Sequence, residues 1–200
     1  MRSYNLGLWC NLLVRLCGSG IPFLLPLMLQ VAFHYEADIT GWLVSPIAIT
    51  AILTKPFIQK LLKKLGYKNS LMLTALCMTI SIASMSLLNK DTPIWGFVIL
   101  ISFYGACLSV MFATVNTLTV SELDQQTASA GATMLSVVQQ IGIGLGIAIS
   151  SILVNFFRNT FTEAPLQQSF SYTFLSCALF GLALLWLASK LKQSDGGNLH

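Results

Sequence analysis

The residues best suited to chemistry in this chain lie inside apolar runs. Asn11, Arg15 and Ser19 recur at i, i+4 and i+8, so a helix would carry an amide, a guanidinium and a hydroxyl on one face. Pro22 and Pro26 follow, and each removes a helix hydrogen bond and permits a bend. Two readings stand side by side: a kinked helix lining a wet cavity, or an ordinary membrane helix with prolines and an arginine snorkelling to its end. A later run carries Ser102, Ser109 and Thr114, with Tyr104 and Asn116 on other faces. Tyr104 can stack on an aromatic compound while its hydroxyl stays in water. Ser and Thr serve equally well to bond neighbouring helices. A third run holds Gln139 and Gln140, then Gly142, Gly144, Gly146 and Ser150. Gly142-x-x-x-Gly146 lets two helix backbones approach closely, which points to packing. An amide within lipid needs a partner, so at least one of the two glutamines faces a neighbour or a cavity.

Other chemistries are excluded by what these runs lack. No Asp or Glu occurs in any of them. The histidines are His34, in a polar connection, and His200, at the last position, so neither can serve a buried serine as base. Cys10, Cys17, Cys77, Cys107 and Cys177 form no CxxC pair and no metal-ligand spacing with histidine. They read as small packing residues, and no metal or cofactor is expected. No GxxxxGK[ST] loop is present, which argues against direct coupling to ATP.

The elements that must position these groups follow from composition. The chain of 200 residues is 55% hydrophobic and 9% charged, with mean hydropathy +0.75, whereas soluble domains carry about 25% charged residues. So few charges cannot cover a water-facing surface, and an all-α membrane protein is expected. The net charge of +4 fits basic loops beside a bilayer; no basic run is interleaved with aromatics as a nucleic-acid groove requires. A hydrocarbon core of about 30 Å needs about 20 apolar residues. Six stretches qualify, at about 6–33, 41–62, 70–88, 94–120, 128–157 and 170–188, and are expected to form one six-helix domain. HYEADIT, KKLGYKN, NKDTP, SELDQQT and RNTFTEAPLQQS connect them. Asn11 and Arg15 interrupt the first run and no small-x-small site follows it, so it reads as a span and not a cleaved signal.

With six spans, Arg2, Lys60, Lys63, Lys64, Lys68, Lys190 and Lys192 share one side, and Lys90 and Arg158 fall on the other. The positive-inside rule then places both termini in the cytoplasm and makes the lysine cluster an anchor between spans two and three. Lys55 and Arg15 sit inside spans, where each either snorkels or faces a wet cavity.

Residues FLLPLMLQ (23–30), ITGWLVSPIAITAILTKP (39–56) and LKKLGYKNSLML (62–73) resemble, in this order, the major facilitator superfamily, and within it the fourteen-span drug:proton antiporters. Leu25, Pro26, Leu27, Leu29 and Gln30 match an "LPLYLQ"-like helix end, and Gly41, Ser45 and Pro46 match the next helix. Of the loop pattern, Pro56, Leu61, Gly66 and Lys68 are retained; Gln59 replaces a glycine, Lys63 an aspartate and Lys64 an arginine. In residues 117–149, Ala128, Ser129, Gly131, Gln140, Gly142, Gly146 and Ala148 stand where the family's penultimate loop and helix want them.

The resemblance implies one half of a two-lobed bundle, with substrate and coupling ion bound near the midplane between lobes. It nominates Asn11, Arg15, Ser19, Gln30, Ser102, Tyr104 and Ser109 as cavity lining. Pro56, Lys63, Lys64, Gly66 and Lys68 form the cytoplasmic motif loop, and Gly142, Gly146 and Ser150 are for packing. It further implies a bacterial inner-membrane location and, as partners, lipid, a missing N-terminal half or second copy, a small-molecule substrate and protons. With no carboxylate in the spans, the proton carrier must lie in the missing half, where Arg15 could depress its pKa. The expected function is proton-coupled efflux of small amphipathic compounds by alternating access. The alternative is a truncated remnant, or a half that assembles with or regulates another membrane protein.

Overall fold

The computed structural model describes residues 2–120 and 128–190, with the backbone alone at 2–6 and 128. Lys192, His200 and the SELDQQT connection therefore lie outside the described residues, as does the Arg2 side chain. The described chain is helical: α1 (Arg2–Ser19), α2 (Ile21–Leu27), a π-helical turn (Met28–Ala32), α3 (Ala37–Val44), α4 (Pro46–Met85), α5 (Ile94–Val120), α6 (Ala128–Thr160) and α7 (Leu166–Ser189). Among the described residues, five helical stretches are long and apolar enough to cross a membrane.

The first apolar run is not one smooth helix. Pro22 has no N–H for the carbonyl of Gly18 four residues back, and the Tyr104 hydroxyl donates to that carbonyl instead, at 2.7 Å. The helix restarts after Gly20, and beyond Pro26 it widens into the π turn, where the Phe33 N–H reaches the Met28 carbonyl at 3.2 Å. π-Helical turns are rare and frequently lie at functional positions. His34, with φ of 59°, ends the segment. The same substitution recurs at Pro46, which leaves the Trp42 carbonyl without its helical donor; the Ser45 hydroxyl fills the gap at 2.8 Å.

Ala37–Met85 runs for 49 residues, about 74 Å if straight and more than twice a hydrocarbon core. It does not stay straight. Gly66 adopts φ 75° and ψ 165°, a left-handed conformation natural to glycine, and divides α4 into two limbs. The expected polar loop KKLGYKN is thus a sharp bend at one residue, with helix on both sides. Contacts give the directions. Gly7 and Asn11 of α1 meet Thr119, whereas Gly18 meets Leu108, so α1 and α5 are antiparallel. Gln139 reaches Asn11 and Gly146 packs on Leu16, so α6 runs parallel to α1. The Cys177–Ser150 contact and the Phe157–Tyr172 ring pair make α7 antiparallel to α6. The first limb follows α5: Gly105 packs on Ile47, and the Ser109 hydroxyl donates to the Ala51 carbonyl at 2.9 Å. The second limb opposes α7: Gln167 donates to the Leu88 carbonyl and Gly181 packs on Thr79. Among the described residues, six rods therefore alternate in direction.

The core lies among α1, α2, α5, α7 and the second limb, around Leu24, Leu25, Ile82, Tyr104, Phe170 and Phe174. The first limb and α6 bury little. Large apolar side chains such as Ile52, Phe57, Ile141 and Ile152 are exposed on them, as suits a lipid or protein neighbour and not water. At the end of α7, Lys190 Nζ lies 3.5 Å from the centre of the Trp186 ring, a cation–π contact.

Candidate substrate-facing surface

The polar groups of α1, α5 and α6 meet where these helices cross. Asn11 is 1% exposed, and its Nδ2 donates to Thr119 Oγ1 at 3.2 Å. Gln139 Nε2 donates to Asn116 Oδ1 at 2.9 Å and, more weakly, to Asn11 Oδ1 at 3.4 Å. Thr119 passes its own proton to the Val115 carbonyl at 2.8 Å. Three amides and a hydroxyl from helices far apart in sequence thus satisfy one another in a largely buried site. Gln139 has the partner an intramembrane amide requires, and Gln140, one residue on, points outward. Replacing Asn11 and Gln139 by alanine, singly and together, should give a coupling energy of about 0.6–1.7 kcal/mol in a double-mutant unfolding cycle, the range for interhelical hydrogen bonds in bilayers.

One turn along α1, Arg15 is half-buried, with its guanidinium carbon 3.9 Å from the centre of the Phe112 ring. Its Nε is buried without a hydrogen-bond partner. Its stem packs against Gly142, where a Cβ would stand 2.8 Å from Arg15 Cβ. No acidic residue occurs in α1, α5 or α6, so none of these helices neutralises the charge. An arginine braced on an aromatic face and left partly uncompensated is suited to an anionic group brought from elsewhere.

Other nominated residues separate. Tyr104 is fully buried with its hydroxyl on the Gly18 carbonyl, so it ties α5 to α1 and cannot stack on a compound in a groove. Asn11 likewise lies inside the helix crossing and not on a cavity wall. Ser109 is committed to the Ala51 carbonyl, Ser19 and Ser102 are half-buried, and Gln30 is exposed at the far end of the first span. Of the motif loop, Pro56, Lys63, Lys64 and Gly66 are exposed and Lys68 is half-buried. Gly142 and Gly146 lie on the backbone of α1 around Leu12, Arg15 and Leu16, and Ser150 meets Gly20.

The sequence reading missed Phe112, which holds Arg15, and the outer face of α6. Thr133, Ser136, Gln140 and Gly144 recur at three- and four-residue steps on one exposed face. Met134, Ile141, Leu145 and Ile152 mark a second exposed face. The signal was present as a period of 3.6, but the glycine pattern on the same helix drew attention to packing.

Residues 7–197 match a family described as the Major Facilitator Superfamily. The "Probable transport protein HsrA" of Haemophilus influenzae is 45% identical over 200 residues, covering 100% of this chain and 43% of that protein. The "Putative multidrug resistance protein MdtD" of Serratia proteamaculans is 30% identical over 197 residues, covering 97% of this chain and 41% of its own length. A protein of the same name from Pectobacterium carotovorum is 28% identical over 177 residues, 87% of this chain and 38% of its own length. The chain thus spans about two fifths of the curated relatives it matches.

Proposed function

Since this chain belongs to the Major Facilitator Superfamily, we propose that it is the C-terminal, six-span lobe of a fourteen-span-type transporter that exports drugs or other small amphipathic compounds in exchange for protons. The observation that carries this reading is the divided surface of α6. Thr133, Ser136 and Gln140 share one exposed face, and Met134, Ile141, Leu145 and Ile152 the face next to it, with the exposed Val137 at their border. Thr133 and Ser136 return their protons to their own helix, whereas the Gln140 amide is exposed. An outward amide within hydrocarbon costs free energy unless it meets water or another protein segment. The polar face therefore suits a wet seam with a second lobe, and the apolar face suits lipid. Arg15, for which α1, α5 and α6 hold no acidic partner, supplies a positive charge within the helices of this lobe. A proton-carrying carboxylate belongs to the complementary lobe, because α1, α2 and α4 to α7 contain none and Asp38 stands only in the first turn of α3.

In this reading the lobes rock about a midplane site. The exposed Lys60, Lys63 and Lys64 at the Gly66 bend anchor the cytoplasmic side, with both termini on that side of a bacterial inner membrane. A second reading, a remnant or assembly subunit that transports nothing, draws support from the altered motif loop, where Lys63 stands in place of the family pattern's aspartate.

One experiment separates the two. The chain is co-expressed with the complementary N-terminal segment of the HsrA-like relative in a drug-sensitive strain. Restored export of at least one compound from a broad panel is expected. If both segments insert correctly and no compound is exported, the transporter reading falls and the remnant reading stands.

A further inference from the structure

Between α2 with its π turn and the α3–α4 elbow lies a groove of about 470 Å³, within the roughly 300–1,000 Å³ of drug-sized ligand sites. Pro22, Pro26 and Gln30 form one wall; Thr40, Ser45 and Ala48 are on the other. The walls are apolar apart from a few polar groups. One of those is out of place. Thr40 is 2% exposed and its Oγ1 has no hydrogen-bond partner.

Elsewhere this chain solves that problem locally. Thr50, Thr74, Thr114 and Thr173 each donate to the carbonyl four residues back, at 2.7 Å. Thr40 does not, although the Glu36 carbonyl four residues back is in place and accepts the Thr40 backbone N–H at 3.0 Å. A buried hydroxyl left without a partner is costly, and native structures rarely leave one. Gly41, beside it, has open space where a Cβ would stand, so the elbow is not closed over the groove. Pro26, in the facing wall, has no N–H to give the Pro22 carbonyl. The groove is thus lined by a residue with an unpartnered hydroxyl, Thr40, and the exposed Gln30 stands in the facing wall.

We propose that this groove binds a small, neutral, amphipathic molecule whose carbonyl or ether oxygen accepts a hydrogen bond from Thr40 while its apolar body lies between the prolines and Ala48. No basic or acidic side chain lines the groove, which disfavours a charged ligand. The site does not depend on the chain transporting anything, so it stands or falls apart from the proposed efflux function.

Benzophenone, a neutral ketone that bonds covalently to nearby C–H groups on irradiation, serves as the probe, with the full chain in membranes and peptide mapping as the readout. Adducts should concentrate on residues 22–30 and 37–51. Thr40→Val keeps the shape, removes the donor and leaves no new group unpaired, so the fold survives; it should lower those adducts about threefold to tenfold, the worth of one hydrogen bond. Ala48→Phe, at an exposed position, fills the groove and should lower them further. Adducts spread evenly over the lipid-facing sides of α6 and α7 would overturn the site. Loss in Ala48→Phe with no loss in Thr40→Val would overturn it as well, because the groove would then be an apolar slot with no specific donor.

Discussion

In the proposed two-lobed transporter, Arg15→Met should sharply lower export while leaving this chain inserted and folded. The guanidinium rests on Phe112, its Nε is buried and unpaired, and α1, α5 and α6 offer no carboxylate. Within the lobe the charge therefore stabilises little beyond one cation–π contact of about 0.5–2 kcal/mol. Methionine keeps much of the stem's packing against Gly142 and removes a buried group that lacks a partner. Thermal unfolding in detergent should then be unchanged or slightly later. Export should fall roughly thirtyfold or more, the consequence of losing one member of a desolvated charge pair worth about 2–5 kcal/mol. Arg15→Lys keeps the charge and loses the planar stack, so an intermediate rate is expected. A protein that exports normally with methionine at this position would show that Arg15 is a snorkelling residue, the other reading its place in α1 allows.

Gly146→Val should disrupt the lobe itself. A Cβ at position 146 would stand 2.7 Å from the Leu16 carbonyl oxygen and 3.2 Å from the Arg15 carbonyl oxygen. Those are backbone atoms, so no side chain can turn aside, and α1 must separate from α6. Overpacking of this kind costs about 1–3 kcal/mol or more, and the separation also pulls apart the Asn11, Asn116 and Gln139 network. Gly144, two residues away, has nothing within 4 Å of its Cβ position and supplies the control. In a thermal-stability assay Gly146→Val should unfold well before the parent chain, and Gly144→Val should match it. Equal behaviour of the two variants would mean that α6 does not pack through its glycine rail.

Much of the architecture was legible in the sequence because lipid imposes a simple rule. A helix must keep its backbone bonded for the thickness of the hydrocarbon, and α5 begins where its apolar run does, at Ile94. Gly66 was visible as a retained loop residue, but not that one glycine would reverse the chain between two helical limbs. The fate of single polar residues was less legible. Asn11, Tyr104 and Ser109 look alike in sequence: polar groups in apolar helices. Their partners, Thr119, the Gly18 carbonyl and the Ala51 carbonyl, lie 108, 86 and 58 positions away, and only the packing chooses them. Prolines create some of those partners by releasing a carbonyl, so Tyr104 answers Pro22 as directly as Ser45 answers Pro46. Thr40 was invisible because its chemistry lies in a bond that it does not make.

The orientation of α6 decides whether this chain is one lobe of a larger rocker, and thiol labelling in membranes reads that orientation directly. Cysteines are placed singly at Thr133, Ser136, Gln140 and Gly144, and in parallel at Met134, Ile141, Leu145 and Ile152. Four native thiols are buried and Cys77 is half-buried, so background is low. With the complementary segment present, a small water-soluble thiosulfonate should modify the first set and spare the second, because only thiols in contact with water ionise and react. Modification of the second set with the first protected, or the same rate at all eight positions, would show that the polar face meets no wet seam, and the two-lobed account would be wrong.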